Sequence, residues 1–380
     1  MERLENIYEK IISLDNLIIA AKKAAKNKKH RRAVKKFFRE NGEDNVLLKQ
    51  LHESLKKKTF VVGKYKKFKV YEPKERTIFK LPFFPDRIVQ HAIVNILGDY
   101  WYSLMRRTTY ACVKDRGMTG EQGMYTTIVL TLKANPKGTQ YCLKQDIRHY
   151  YPSIPHDKMK EVLSEGIADK DALWLLCMYI DSISTGDVEG VGLPIGSILS
   201  QYFANLFLSK FDYDIEKKLS KKYHISLYAR YNDDKIFLAK TKEQLHQLFE
   251  EERKMLLDRG LKLKPNYQIF PVEARGIDIG GFVFRHNYIL IRKNIKKNFC
   301  RKVAELEKRP VPLTIDEYKQ EVCPWLGYIQ RTNSRHLIEK VVPKEYQQIF
   351  DKYLKLDKRD EVYNIKNREE RVFSKTADVA

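Results

Sequence analysis

The sequence predicts an α+β fold, and three observations lead there: a helical apolar period through the first 58 residues, strand-like runs between Thr59 and Ile291, and a return to helix after Arg292. Leu4, Ile7, Ile11 and Ile12 recur at helical spacing, and the Lys-rich stretch after Ala20 keeps strong helix formers. From Thr59 the pattern changes to FVVGKYKKFKVYEP and ERTIFKLPFF, two strands with a turn at Glu72-Pro73-Lys74-Glu75. Asp86 to Tyr100 is helical again. TQYCLKQDI is a short apolar run ending in an acid, which predicts a buried strand, with helices to follow from His156 and across Asp171–Asp181. LPIGSILSQYFANLFLSKFDYDIEKKL reads mostly as one long helix. ISLYARYNDDKIFLA, two apolar runs around a polar centre, reads as strand–turn–strand. An amphipathic helix over Lys242–Arg259 ends at Gly260, a residue favoured just past a helix C-terminus. LKLKPNYQIF and IDIGGFVFRHNYILI predict further strands, and Thr314 with Glu317 forms a capping-box signature in the C-terminal helices. The boundaries expected are a basic helical extension (1–58), a mixed α/β body (59–290), a helical segment (291–357) and a charged tail (358–380).

With 380 residues and 43% apolar content the chain can bury a sizeable core. Lysine and arginine number 72 against 49 acids, a formal charge of +23, which directs attention to polyanions and above all nucleic acid. The charge is concentrated: ten Lys/Arg and one acid lie between Ala21 and Glu40, and a second cluster joins Lys56, Lys57, Lys58, Lys64, Lys66, Lys67 and Lys69. The helix from Ala21 to Arg39 is either a phosphate-binding face for RNA or a solvated surface. Five cysteines without a CxxC pair argue against a disulfide framework or zinc site. No apolar run approaches the roughly 18–20 residues that span a bilayer, and MERLENIYEKII is too charged for a secretory signal. The expectation is a cytoplasmic protein with no membrane partner.

Two acidic signals carry the chemistry. Tyr231-Asn232-Asp233-Asp234 places adjacent carboxylates between two buried runs, where they are costly unless paired or liganding a cation; an exposed hairpin turn would use the same residue types. Asp146 ends YCLKQDI and precedes an aromatic pair, and by itself could equally be a surface acid or a helix cap. Together they make sense, because phosphoryl transfer to a 3′-hydroxyl uses two hard divalent cations bridged by carboxylates. His149 and His156 read as exposed loop histidines rather than metal ligands.

In this light the chain resembles the reverse transcriptases, through several blocks in family order. Asp146-Ile147-x-x-Tyr150-Tyr151 resembles the first catalytic block, and Tyr231-Asn232-Asp233-Asp234 resembles the Y-x-D-D box. The resemblance implies a right-hand polymerase architecture of fingers, palm with antiparallel sheet, and helical thumb. Fingers and palm would occupy 59–290 and the thumb 291–357. It implies Asp146, Asp233 and Asp234 as catalytic metal ligands for two Mg2+ (Mn2+ as a substitute), with the Ile147 carbonyl as a further ligand. Tyr151 falls at the steric gate against a ribose 2′-hydroxyl. Lys69 and Arg76 would grip the triphosphate, while Leu193-Pro194-Ile195-Gly196 through Ser200-Gln201 would pack along the nascent base pair. Gly280, Gly281 and Phe282 stand where the primer grip has Phe-Leu-Gly. Asp86-Arg87-x-Val89-Gln90-x-Ala92 resembles the bacterial branch, as in group II intron enzymes. Lys264-Pro265-Asn266-Tyr267-Gln268 lacks the lysine that relatives often carry nearby, so help to the leaving pyrophosphate is expected from elsewhere.

Within the family, Ile195-Gly196-x-x-x-Ser200-Gln201 departs from the usual Q-G-x-x-x-S-P and resembles the reverse transcriptases of diversity-generating retroelements. That resemblance implies copying of a template RNA into cDNA from dNTPs, errors opposite adenine, and a small accessory variability protein as partner. Isoleucine offers shape but no hydrogen bond where glutamine is usual, so either discrimination drops or the site merely repacks. Asn232, in place of a small or apolar residue, either affects fidelity or processivity or simply favours the turn. The competing functions are a group II intron-like maturase, an antiphage defence polymerase, and a catalytically inactive RNA-binding scaffold.

Overall fold

The structure, a computed structural model, describes residues 3–71 and 75–354. The expected charged tail from Lys358, and Glu72, Pro73 and Lys74 of the expected turn, lie outside the described residues. The described residues form two units, one from 3–126 with 143–269 and the other from 127–142 with 270–354.

The first unit opens with helices α1 (Tyr8–Ile12), α2 (Leu14–Ala25), α3 (Arg32–Asn41) and α4 (Val46–Lys56). Ser13 caps α2 by accepting from the Asn16 amide. Strands β1 (Lys66–Val70) and β2 (Arg76–Lys80) form an antiparallel hairpin with Lys69 opposite Thr77. Helix α5 (Ile88–Leu104) lies against α2, and buried Asn16 stitches them by donating to the Ile11 and Ala92 carbonyls while accepting from Asn95. Helix α6 (Met124–Ala134) runs from this unit into the second and β3 (Tyr141–Asp146) returns to it, followed by α7 (His156–Gly166) and α8 (Lys170–Asp181). The long helix expected from Leu193 onward is divided. Leu193–Ser197 is non-helical, α9 (Ile198–Phe207) stops at Leu208 (φ −100°, ψ 3°), and α10 (Ser209–Asp214) continues through a wide turn into α11 (Ser220–Lys222). Strands β4 (Leu227–Tyr231) and β5 (Asp234–Ala239) form the expected hairpin, antiparallel with Tyr231 opposite Asp234. Helix α12 (Lys242–Asp258) follows a Thr241–Gln244 capping box and ends before Gly260, whose φ of +82° suits glycine. Only β6 (Gln268–Pro271) forms from LKLKPNYQIF. The sheet order is β4-β5-β3-β6.

The second unit carries α13 (Val272–Arg275), a three-stranded sheet of β7 (Ile277–Ile279), β8 (Phe282–Phe284) and β9 (Ile289–Ile291), and helices α14 (Lys293–Glu307), α15 (Ile315–Ile329), α16 (Arg335–Val341) and α17 (Lys344–Asp351). The Thr314–Glu317 capping box starts α15 as expected. Phe299, Val322, Ile329 and Phe350 centre an apolar core from which charge is excluded. No helix among the described residues is long and apolar enough to cross a membrane.

Candidate active site

The hairpin β4–β5 ends in the two-residue loop Asn232-Asp233. Asn232 takes φ +55°, the left-handed conformation that such loops demand and that asparagine tolerates. The residue thus fits the turn it stands in. On β3, Asp146 is the last strand residue, and the segment after it is tied on both sides. Ile147 N–H donates to the Asp233 carbonyl (3.2 Å), and Arg148 N–H donates to the Lys262 carbonyl (2.8 Å). Ile147 is fully buried and bridges Leu263. These bonds bring two segments 86 positions apart in sequence (146–147 and 233–234) to one place.

The carboxylates affect each other there. The Asp233 carboxyl is pushed up to about 6, first by burial and then by the negative charge of Asp146 and Asp234. Asp146 Oδ1 is buried with no hydrogen-bond partner, while Oδ2 accepts from Lys264 Nζ at 2.5 Å. The Lys264 N–H also donates to the Asp146 carbonyl. The expectation that this segment brings no lysine to the site is therefore corrected: the main-chain pairing of 262–264 with 146–148 aims Lys264 at Asp146. Repelling carboxylates and an orphaned carboxylate oxygen are what a hard-cation site presents before loading, and the donor set fits a divalent ion. Among the described residues no group of three or more His, Cys, Asp or Glu side chains is arranged to hold a metal ion, so the fit rests on donor chemistry and mutual charge.

Around the carboxylates, Tyr151 begins a short turn after β3 and its ring meets Tyr150 edge-on at 5.7 Å. Burial raises its phenol, with Cys112 and Asp233 adding to the shift and Arg76 opposing it. The Tyr151 carbonyl accepts from Leu193 N–H (2.9 Å), and the Ile195 carbonyl accepts from Phe79 N–H on β2 (2.8 Å). At Gly196 φ is +108°, and a Cβ would lie 2.8 Å from Ile78 Cγ2 and 3.0 Å from the Phe79 carbonyl. Only glycine lets β2 come that close. These contacts tie β2, the Leu193–Gly196 segment and Tyr151 together, and of these Tyr151 senses the charge of Asp233. Gln201 is exposed on the second turn of α9, and Lys69 is paired with Glu75 at 2.6 Å. Gly280, Gly281 and Phe282 belong to the second unit. Both glycines have positive φ between β7 and β8, and the buried Phe282 ring meets Tyr328 at 5.3 Å.

His149 is exposed, but His156 is not the loop residue expected. It starts α7 with 2% exposure, Nε2 facing the Gly192 carbonyl and Nδ1 facing Asp181 Oδ1 at 3.3 Å. Its partners brace the loop leading to Leu193. Also unforeseen were two fully buried ion pairs under the hairpin, Arg230–Asp212 and Lys235–Glu252. Their signal was in the sequence: single cations inside otherwise apolar strand runs, which must find a buried partner.

A cationic face also forms in the first unit. Lys28 and Arg87 are half-buried and, with Arg31 and Lys80, form a group of like charges that repel one another. His91 is pushed down to about 4 by burial and by Arg87, Lys28 and Lys23. Among the described residues, Lys28, Arg31, Lys80 and Arg87 have no carboxylate partner.

The antiparallel hairpin brings Asp233 and Asp234 beside Asp146 in a strongly basic chain. Residues 55–282 match the family described as Reverse transcriptase (RNA-dependent DNA polymerase), and the chain belongs to that family. Its mixed α+β structure, with an antiparallel β4–β5 hairpin in the sheet that carries Asp146 and Asp234, is the polymerase-like fold of that family. Among curated proteins it is similar to the COX1/OXI3 intron 2 protein of Saccharomyces cerevisiae, 28% identical over 208 residues, covering 50% of this chain and 24% of that protein. It is also similar to Protein YkfC of Escherichia coli, 23% identical over 272 residues, covering 63% of this chain and 70% of that one. The chain thus spans about a quarter of the yeast protein's length. Among solved structures, apo telomerase from Candida tropicalis aligns with a TM-score of 0.49 and 14% identity, over 83% of this chain and 59% of that one.

Proposed function

We propose that this chain is an RNA-directed DNA polymerase that copies a template RNA into cDNA from dNTPs. The observation that carries the reading is the meeting of Asp146 with Asp233 and Asp234, where burial and like charge raise the Asp233 carboxyl. Asp146, Asp233 and Asp234, with the Ile147 carbonyl, would hold two Mg2+, and Mn2+ would substitute. Bound divalent ions supply activation of a 3′-hydroxyl and charge stabilisation at the triphosphate. In this reading Arg76 and Lys69 orient the triphosphate, and the Tyr151 ring occupies the volume a ribose 2′-hydroxyl would need. Ile195, Gly196 and Gln201 pack along the base pair, and Gly280, Gly281 and Phe282 support the primer strand. In this reading Lys264, bonded to Asp146, would hold a proton beside the reacting phosphates. The unpaired cations Lys28, Arg31, Lys80 and Arg87 suit phosphates of the template RNA.

Primer extension on a homopolymer RNA template with Mg2+ tests the reading. Wild-type extension that falls roughly 10³-fold or more in Asp233→Ala is expected, since a metal contributes several kcal/mol to such a transition state. An inactive wild type that binds RNA tightly would establish the scaffold instead.

We further propose, on the motif Ile195-Gly196-x-x-x-Ser200-Gln201, that the enzyme is error-prone at template adenines, serves mutagenic retrohoming in a diversity-generating retroelement, and works with an accessory variability protein. Isoleucine leaves the base pair held by shape alone, and correct and wrong pairs differ by only a few kcal/mol. Ile195→Gln is expected to lower misincorporation opposite adenine in sequenced cDNA; an unchanged error spectrum sinks this finer reading and leaves the polymerase reading standing.

A further inference from the structure

The candidate ligands stand on neighbouring strands, and the groups that set their spacing lie on the opposite face of the sheet. Arg230 of β4 is registered against Lys235 of β5, so strand alternation turns both away from the face of Tyr231 and Asp234. Each fully buried cation meets its own buried acid, Arg230 with Asp212 and Lys235 with Glu252. Asp212 also accepts from Thr109 and Tyr228, and Arg230 Nη1 reaches past its partner to donate to the Asn232 carbonyl in the loop (3.1 Å). Glu252 does something Asp212 does not. Its Oε1 accepts from Lys235 Nζ and its Oε2 accepts from Gln145 Nε2. Lys235 follows Asp234 on β5, and Gln145 precedes Asp146 on β3. One carboxylate on α12 therefore grips the immediate neighbours of the acids on both strands.

We propose that Glu252 is a positioning residue: by holding Gln145 and Lys235 together it fixes the separation of Asp146 from the Asp233–Asp234 pair. The inference rests on the polymerase reading above. Burying two ion pairs is a poor way to gain stability, because apolar residues of the same volume usually hold a core at least as well. Charge-assisted hydrogen bonds supply instead a fixed length and direction, which a site that must place hard oxygen ligands needs. Groups that orient metal ligands from behind typically change metal affinity about 10- to 100-fold when replaced.

The test uses the full chain and Mn2+ alone, read by water-proton relaxation, together with a thermal melt. In Lys235→Met/Glu252→Leu the buried charges leave as a pair, so the melt is expected within a few degrees of wild type. Mn2+ affinity is expected to fall about tenfold or more, and the Mg2+ midpoint for primer extension to rise by a similar factor. A folded double variant with wild-type Mn2+ affinity overturns the proposal. If the double variant does not fold, Gln145→Met releases only the β3 side and leaves the ion pair intact; weakened Mn2+ binding there supports the role, and unchanged binding overturns it. A wild type that takes up no Mn2+ removes the polymerase reading, and this inference with it.

Discussion

The two units of the molecule place their charges in opposite ways. Under the β4–β5 hairpin of the first, Arg230, Asp212, Lys235 and Glu252 are all fully buried and paired. In the second, Phe299, Val322, Ile329 and Phe350 form an apolar core, and ion pairs such as Arg309–Glu321 stay on the surface, with side chains 36% and 31% exposed. An apolar core fills volume without regard to direction, whereas a buried polar network fixes angles and distances and is intolerant of losing one member. The first arrangement stands behind the carboxylates where geometry matters; the second supplies a stable helical body.

The contrast breaks most sharply on paired substitutions. Arg230→Met leaves the buried Asp212 without its cation, with only the Thr109 and Tyr228 hydroxyls as partners, and should cost about 3–5 kcal/mol in urea unfolding. Arg309→Met should cost less than about 1 kcal/mol. Equal losses at the two positions would show that burial is not what separates these pairs.

Asp233 gives the next largest effect. Its carboxyl titrates near 6 in the folded chain against about 3.9 unfolded, so between those values the folded state binds more protons. Stability of the metal-free protein must then fall as pH rises through that window. Asp233→Asn should be the more stable protein above pH 6, by about 2 kcal/mol once partial exposure is allowed for, and the difference should vanish near pH 4. Melts at pH 4, 5 and 7.5 without divalent ions measure it, and a constant difference across them would refute the burial-and-charge account. In the second unit the comparable polar device is the Thr314–Glu317 capping box. Thr314→Ala should cost about 1 kcal/mol, with no change in Mn2+ binding.

Much of this architecture was legible because its causes are local. ISLYARYNDDKIFLA alternates and turns as a hairpin must, Gly260 and Thr314 punctuate helices by their own chemistry, and Asp146 sits at the end of an apolar run. Other features were not legible because their partners are remote. Lys264 reaches an aspartate 118 positions away, His156 bonds to a loop 36 positions on, and the helix expected through Leu208 breaks at a backbone turn that its helix-forming residues do not signal. Gly196 was recognisable as part of a block, yet its reason, the approach of Ile78 and Phe79, belongs to another hairpin.

By itself, then, the sequence determined the α+β class, the order of the blocks, the family resemblance and the acids that could hold metal, since periodicity, turn chemistry and motif spacing act over a few residues. Only the tertiary structure decided which charges are buried, that Lys264 stands on Asp146, and that Glu252 ties the neighbours of both acidic strands. The buried pairs join residues 17 and 18 positions apart, and the Lys264–Asp146 and Gln145–Glu252 contacts join residues more than a hundred positions apart; a preference that acts over a few residues encodes neither distance.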